Sequence, residues 1–248
     1  MKGRDMYTFE SRIRLSESDE NEKLTLTGLL DYFQDCSTFQ SDDLGIGMGY
    51  LRTMKLAWVL NSWQIDIRRY PSEGERVTIG TIPYMIRGPL GYRNYFMDDE
   101  GGERIAVAQT VWTLLNMEKE IPVSAPAEVV EAYKVEPKLE MEYLPRKIVL
   151  PGEGKELEPL NVGKHHLDAN HHVNNGQYVK IAMEMLEDDI AVRRLRVEYK
   201  AQARLGDGIY PVLYRSDNLY VVSLNDREAN PFAVVEFTVD ELKSCLSR

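Results

Sequence analysis

The chemistry-bearing residues of this chain crowd into one stretch, Lys164-His165-His166-Leu167-Asp168-Ala169-Asn170-His171-His172-Val173-Asn174-Asn175. All 4 histidines of the protein lie in it. In an extended segment Asp168, Asn170 and His172 alternate, so all three project to one side. A carboxylate, a carboxamide and an imidazole converging beside a helix N-terminus can activate water and stabilise an oxyanion, which is what metal-free hydrolysis requires. Two other readings compete. A polar loop with an asparagine helix cap accounts for Asn174 or Asn175, but it leaves Asp168, Asn170 and His172 without a role. A metal site needs convergent ligands. Neighbouring histidines rarely point the same way, and the chain has neither an H-E-x-x-H pattern nor a second Cys/His cluster. No metal and no cofactor is expected.

The elements that must hold this stretch read as two copies of one pattern. Leu26, Leu29, Leu30 and Phe33 follow i, i+3, i+4, i+7, with Cys36 and Ser37 continuing the face. This spacing predicts an amphipathic helix from near Leu24 to near Gly45. Strand-like runs follow at 57–69, 76–86, 92–97 and 104–115, punctuated by turn residues that include Asp98-Asp99-Glu100-Gly101-Gly102. Tyr178, Ile181, Ala182 and Met185 repeat the helical spacing, predicting a second helix over 174–187. Strand-like runs at 195–203, 209–214, 220–224 and 232–239 then complete the second copy. Ile65-Asp66-Ile67-Arg68 aligns with Val197-Glu198-Tyr199-Lys200, and Gly74-Glu75 with Gly206-Asp207, both offset by 132 residues. Asp19-Glu20-Asn21 aligns with Asp168-Ala169-Asn170 at an offset of 149. The first copy therefore has a longer helix-to-strand connection, around 42–55, carrying Gly45, Gly47 and Gly49 and suited to covering or lining a pocket. Between the copies, 136–160 is rich in proline, glycine and acid and reads as a surface linker. The expected architecture is α+β, with modules at 1–135 and 161–248 that each pack one long helix on an antiparallel sheet.

Composition narrows the function class. The 248 residues carry 30 basic against 40 acidic side chains, a net charge of −10. A general nucleic-acid binder needs a basic surface, so that class is set aside. The first ten residues have no apolar core of the kind a leader peptide needs, and no run approaches a membrane span. Cys36 and Cys245 are too few for a disulfide framework, which fits a reducing, cytoplasmic setting.

Asp168-Ala169-Asn170-His171-His172-Val173-Asn174-Asn175, followed by the aromatic Tyr178, resembles the D-x-N-x-H-V-N-N motif of the acyl-acyl carrier protein (acyl-ACP) thioesterases. The resemblance extends to Trp58-Val59-Leu60, Ile67-Arg68-Arg69-Tyr70-Pro71, Trp112 and Val197-Glu198-Tyr199-Lys200, and so covers nearly the whole chain. It implies a tandem hotdog fold and hydrolysis of fatty acyl-ACP to free fatty acid and carrier. It places Asp168, Asn170 and His172 in the catalytic constellation. Where many members of the family carry glutamate and then cysteine, this chain has Gln202 and Ala203. Alanine rules out a thiol nucleophile there, and glutamine cannot act as a base but can position water. On this reading Asp168 activates water, Asn170 and a backbone N–H stabilise the oxyanion, His172 orients the network and Gln202 holds the water. Asn174 and Asn175 contact substrate.

In the first copy Lys23 replaces the histidine, so the single active site is expected in the C-terminal module. The N-terminal module would supply an acyl pocket that includes Trp58. The family partner is acyl carrier protein, itself acidic, so a basic dock is needed. Arg193, Arg194, Arg196 and Lys200 form the densest basic group. Three rivals remain: an acyl-coenzyme A thioesterase of the same fold, a non-catalytic acyl-binding module, and a dehydratase. Monomer and homodimer are both compatible with the duplicated chain.

Overall fold

A computed structural model describes residues 6–168, 171–187 and 190–240. The chain divides into two compact units, Met1–Leu144 and Pro145–Arg248, with the break inside the expected linker. In unit 1 the elements run β1 (Tyr7–Arg12), α1 (Leu26–Asp43), α2 (Met48–Thr53), β2 (Leu56–Ile67), β3 (Arg76–Arg87), β4 (Leu90–Asp99), β5 (Arg104–Asn116), β6 (Ile121–Pro122) and α3 (Ala127–Tyr133). The sheet is antiparallel in the order β1-β3-β4-β5-β2. Helix α1 begins where the Thr25 hydroxyl accepts the N–H of Gly28 at 3.0 Å, the expected capping chemistry. Its buried face is Leu26, Leu29, Leu30, Phe33, Cys36, Ser37 and Gln40. Burial of each of the large apolar residues contributes about 1.5–3 kcal/mol.

The opposite face of this sheet is covered by the stretch after α3. The side-chain amide of Gln64 donates to the carbonyl of Glu142 at 2.7 Å and accepts the N–H of Leu144 at 3.1 Å. Asn94 Oδ1 accepts from Leu139 N–H and from the Tyr143 hydroxyl, both at 3.0 Å. This part of the expected surface linker is fastened by two buried amides, whose own polar groups need these partners.

Unit 2 contains β7 (Lys155–Glu156), β8 (Leu160–Asn161), α4 (Asn175–Met183), β9 (Val192–Tyr199), β10 (Gly208–Ser216), β11 (Leu219–Asn225) and β12 (Pro231–Val239). Its antiparallel order is β9-β12-β11-β10-β7, with α4 packed on β11 and β12. Each unit is a hotdog, a helix wrapped by a sheet. The second helix is shorter than its periodicity predicts. It ends at Met183, and residues 184–186 continue only as turns. The predicted strands correspond to β2–β5 and β9–β12. The short elements β1, α2 and α3 have too few periodic positions to stand out in sequence.

The repeat holds at the level of individual hydrogen bonds. Leu24 N–H donates to Pro71 O at 2.9 Å and Val173 N–H to Ala203 O at 3.0 Å. Ser72 N–H meets the Glu75 carboxylate at 3.0 Å and Arg204 N–H meets that of Asp207 at 2.8 Å. Asp99 Oδ1 and Asp226 Oδ1 close matching turns on Glu103 and Asn230 N–H, at 2.9 and 2.8 Å.

Candidate functional site

Hydrogen bonds close a turn between Asp168 and His172, which corrects the extended, alternating geometry expected from spacing. Asp168 N–H donates to His172 O at 2.8 Å, His171 N–H donates to Asp168 O at 3.1 Å, and His172 N–H donates to Asp168 Oδ1 at 3.2 Å. His171 takes the left-handed region, with φ of 62°. Leu167 and Val173 then bridge as the stem of the turn, leading straight into α4. Asp168 and His172 are therefore brought together, both half-buried, with the carboxylate holding the backbone of the imidazole's residue. Asn170 lies outside the described residues.

Unit 1 builds the same loop. Asp19 N–H donates to Lys23 O at 2.8 Å, Lys23 N–H donates to Asp19 Oδ1 at 3.0 Å, and Glu22 has φ of 57°. The aspartate thus closes this turn in both copies, whether or not a histidine follows. What differs is what the loop carries: His172 against Lys23.

Helix α4 starts at Asn174, whose Oδ1 accepts Gly176 N–H at 2.8 Å. Asn174 is thereby a cap, and Asn175 is the first helical residue, half-buried. The loop after β9 is fastened to this helix start by two tyrosines. Ala203 N–H donates to the Tyr178 hydroxyl at 2.8 Å, and the Tyr199 hydroxyl donates to Asn175 O at 3.0 Å. Their rings meet edge to face with centroids 6.1 Å apart. Burial pushes the Tyr178 phenol up to about 12, so it stays protonated at neutral pH. At the repeat-equivalent positions unit 1 has Leu29 and Ile67, and Pro71 in place of Ala203, which has no N–H to satisfy. Periodicity and motif place Tyr178 on the helix face and Tyr199 in the repeated strand, without assigning either hydroxyl a role. The offsets of 149 and 132 single them out, because hydroxyls replace apolar side chains in one copy only.

Gln202 sits in this loop, one residue before Ala203, and is exposed. His172 bridges to Arg204 two residues further on, so His172 and Gln202 belong to adjoining backbone segments. His166 has a different task. Its Nδ1 accepts Gly163 N–H at 3.0 Å, and burial, together with the neighbouring His165, whose tilted ring has its centroid 3.9 Å away, holds its pKa below the usual imidazole value. Among the described residues, no three His, Cys, Asp or Glu side chains converge as metal ligands.

The expected basic dock is largely committed within unit 2. Arg196 pairs with Glu236 at 2.8 Å, both nearly buried, and its Nη2 donates to the carbonyls of Pro145 and Lys147. Lys200 pairs with Glu198 at 3.0 Å, and Ile148 N–H also donates to Glu198. Arg196 and Glu198 thus hold the 145–148 stretch against β9. Arg193 is exposed and pairs with Asp240 at 2.7 Å; Arg194 is half-buried. Trp58 lies in unit 1 on β2, half-buried over Gly91. It packs against a cluster of Ile46, Leu51, Leu56, Leu114, Val129 and Tyr133 contributed by α2, α3 and their surroundings.

Comparisons with known proteins agree on one family. The pattern described as the acyl-ACP thioesterase N-terminal domain matches residues 4–133, and that of the acyl-ACP thioesterase C-terminal domain matches residues 152–227. A chloroplastic acyl-carrier-protein hydrolase of Cuphea viscosissima, FATB3, is 24% identical over 209 residues, covering 77% of this chain and 50% of that protein. The chain thus spans about half the length of the curated relatives it matches. In fold it is similar to a solved acyl-ACP thioesterase of Bacteroides thetaiotaomicron, with a TM-score of 0.87, 21% identity and coverage of 94% of this chain and 97% of that one. It is also similar to the 12:0-ACP thioesterase of Umbellularia californica, with a TM-score of 0.83, 16% identity and coverage of 96% and 99%.

Proposed function

The chain belongs to the acyl-ACP thioesterase family, and on that premise we propose that it hydrolyses the thioester of a fatty acyl chain carried on acyl carrier protein. The single observation that carries the reading is the contrast between two copies of one loop. Both are closed by an aspartate ahead of a helix, and only the C-terminal copy adds His172 and fastens the neighbouring loop with Tyr178 and Tyr199.

In the proposed reaction a water oxygen attacks the thioester carbonyl while the Asp168 carboxylate takes its proton. The oxyanion is stabilised by the Asn170 amide and a backbone N–H in the first turn of α4, where the helix dipole favours negative charge. Collapse breaks the C–S bond and expels the pantetheine thiolate, which is stable enough to leave with little acid assistance. His172 orients the network, and Gln202, at the loop surface, holds the attacking water through its amide. Asn174 sets the helix start by its cap, and Asn175 meets the substrate beside it. Unit 1 is assigned the acyl chain, with Trp58 among its apolar contacts. Arg193, exposed on β9, and its neighbour Arg194 are the proposed contacts for the acidic carrier, whereas the Arg196 guanidinium is nearly buried against Glu236. A cytoplasmic setting suits a chain whose described cysteine, Cys36, is a buried free thiol.

Rates on acyl carrier protein and acyl-coenzyme A substrates of 8 to 18 carbons (a panel of about six lengths) test the assignment. Preference for the carrier-linked series supports it. Equal or better rates with coenzyme A substrates reassign the donor, and no release of fatty acid from either series overturns hydrolysis.

A further inference from the structure

The turn that leads into the Asp168–His172 loop is built in both units, with different acceptors. In unit 1 the short helical turn Leu15–Glu17 is closed by a carboxylate. Arg14 N–H donates to Glu17 Oε2 at 2.9 Å, and the Arg14 guanidinium and the Tyr32 hydroxyl donate to the same carboxylate at 2.9 and 2.8 Å. In unit 2 the turn Lys164–His166 stands at the same offset of 149 residues, and an imidazole closes it through Gly163 N–H and His166 Nδ1, 3.0 Å apart. Gly163 replaces Arg14 and Ile181 replaces Tyr32. His166 is 8% exposed, so water is poorly placed to take over that bond.

This turn braces the site from two sides. The carbonyl of His166 accepts Asn174 N–H at 2.9 Å, fixing the residue that caps α4. Val162 N–H donates to Asp207 O at 2.9 Å and Gly206 N–H donates to Val162 O at 3.0 Å, tying the turn to the loop after β9. Leu167, the next residue, bridges to Val173 as the stem of the Asp168–His172 loop. Unit 1 keeps the same backbone bonds, Thr25 N–H to Glu17 O at 2.9 Å and Ile13 N–H to Glu75 O at 3.0 Å. The copies therefore differ in the group that closes the turn. A neutral imidazole accepts through one nitrogen, whereas an imidazolium donates from both.

On the premise of the hydrolysis proposed above, we propose that His166 is a positioning residue: its neutral ring holds Gly163 N–H, and with it the Asp168 loop and the start of α4, while protonation of the ring releases them and slows turnover. A protonated Nδ1 would turn an N–H towards the N–H of Gly163, a repulsive contact in place of a hydrogen bond. The charged and titratable groups acting on the ring are His165 in its own turn and Lys180 and Glu184 on α4 and at its end. Burial, then His165 and Lys180, disfavour the imidazolium, and Glu184 favours it. The folded ring therefore takes up its proton below 6.5 and is neutral at neutral pH.

The test is kcat and KM on carrier-linked acyl substrate from about pH 5 to about pH 8. His166→Phe, which has no acceptor, should lower kcat by about 10- to 100-fold at neutral pH with KM little changed. His166→Gln, which keeps an acceptor that does not titrate, should recover most of that loss. Asp168 and His172 also titrate, so the comparison of wild type with His166→Gln carries the test. Below pH 6.5 wild-type kcat should fall more steeply than that of the variant. By NMR the Gly163, Asp168 and Asn174 amides should shift together as wild type is acidified, and His166→Gln should lack that shared shift. The amides report whether or not the chain hydrolyses carrier substrates, so failure of that reaction is told apart from failure of the positioning role. Identical acid limbs, wild-type kcat in His166→Phe, or equal losses in His166→Phe and His166→Gln overturn the proposal. So do Asp168 and Asn174 amides that do not follow Gly163. Should His166→Phe fail to fold, the acid limbs and the amides of wild type and His166→Gln decide.

Discussion

Tyr178→Phe removes one oxygen from the centre of the fastening between α4 and the loop after β9. The Ala203 N–H that it abandons is inaccessible: Ala203 is 0% and Tyr178 1% exposed. A buried N–H left without an acceptor costs about 1–3 kcal/mol. For a chain of this size each kcal/mol lowers Tm by about 2–4 °C, so a fall of about 2–12 °C is expected by scanning calorimetry. Tyr199→Phe is the matched comparison, removing a donor instead. Asn175 O keeps its place in the helical ladder of α4, so only the net value of one hydrogen bond is lost, about 0.5–1.5 kcal/mol. Both variants should lower kcat more than they raise KM, because they loosen the segment that carries Gln202. A Tyr178→Phe protein as stable as wild type, or one less affected than Tyr199→Phe, would refute the claim that the Ala203 N–H depends on this hydroxyl.

Three further outcomes follow from the geometry of unit 2. His166 accepts Gly163 N–H and its pKa lies below the unfolded value of 6.5, so the unfolded chain binds its proton first. Stability should therefore fall as pH drops through about 6.5 towards the lower folded-state value, then level off, and His166→Gln should flatten that part of a Tm–pH profile. Charge reversal at Arg193 and Arg194 should raise KM for carrier-linked substrate several-fold at low salt, with little change for acyl-coenzyme A. Arg196→Ala should instead destabilise the fold by about 3–5 kcal/mol, since it strands the nearly buried Glu236.

Much of this molecule is legible from spacing alone. The helix periodicity at Leu26, Leu29, Leu30 and Phe33, and the offsets linking Ile65 to Val197 and Asp19 to Asp168, reappear as α1 and as matched hydrogen bonds in the two units. Tertiary chemistry was less visible. No rule of alternation foresees the left-handed turn at His171, which depends on Asp168 closing the loop across four residues. A basic stretch such as Arg193 to Lys200 shows its charge but not its partners. Glu236 comes from a position that only strand register brings into reach of Arg196, whereas Glu198 stands within the stretch itself, two residues before Lys200.

The central claim is that Asp168 performs chemistry in addition to closing its loop, and the repeat supplies the control. Asparagine keeps an Oδ1 to accept the N–H of residue 172 or 23, so Asp168→Asn and Asp19→Asn should both fold with near wild-type Tm. Steady-state hydrolysis of acyl carrier protein substrate is the measurement. The account predicts a fall in kcat of at least about 100-fold for Asp168→Asn and no change for Asp19→Asn. A folded Asp168→Asn protein with full activity, or equal losses in both variants, would contradict it.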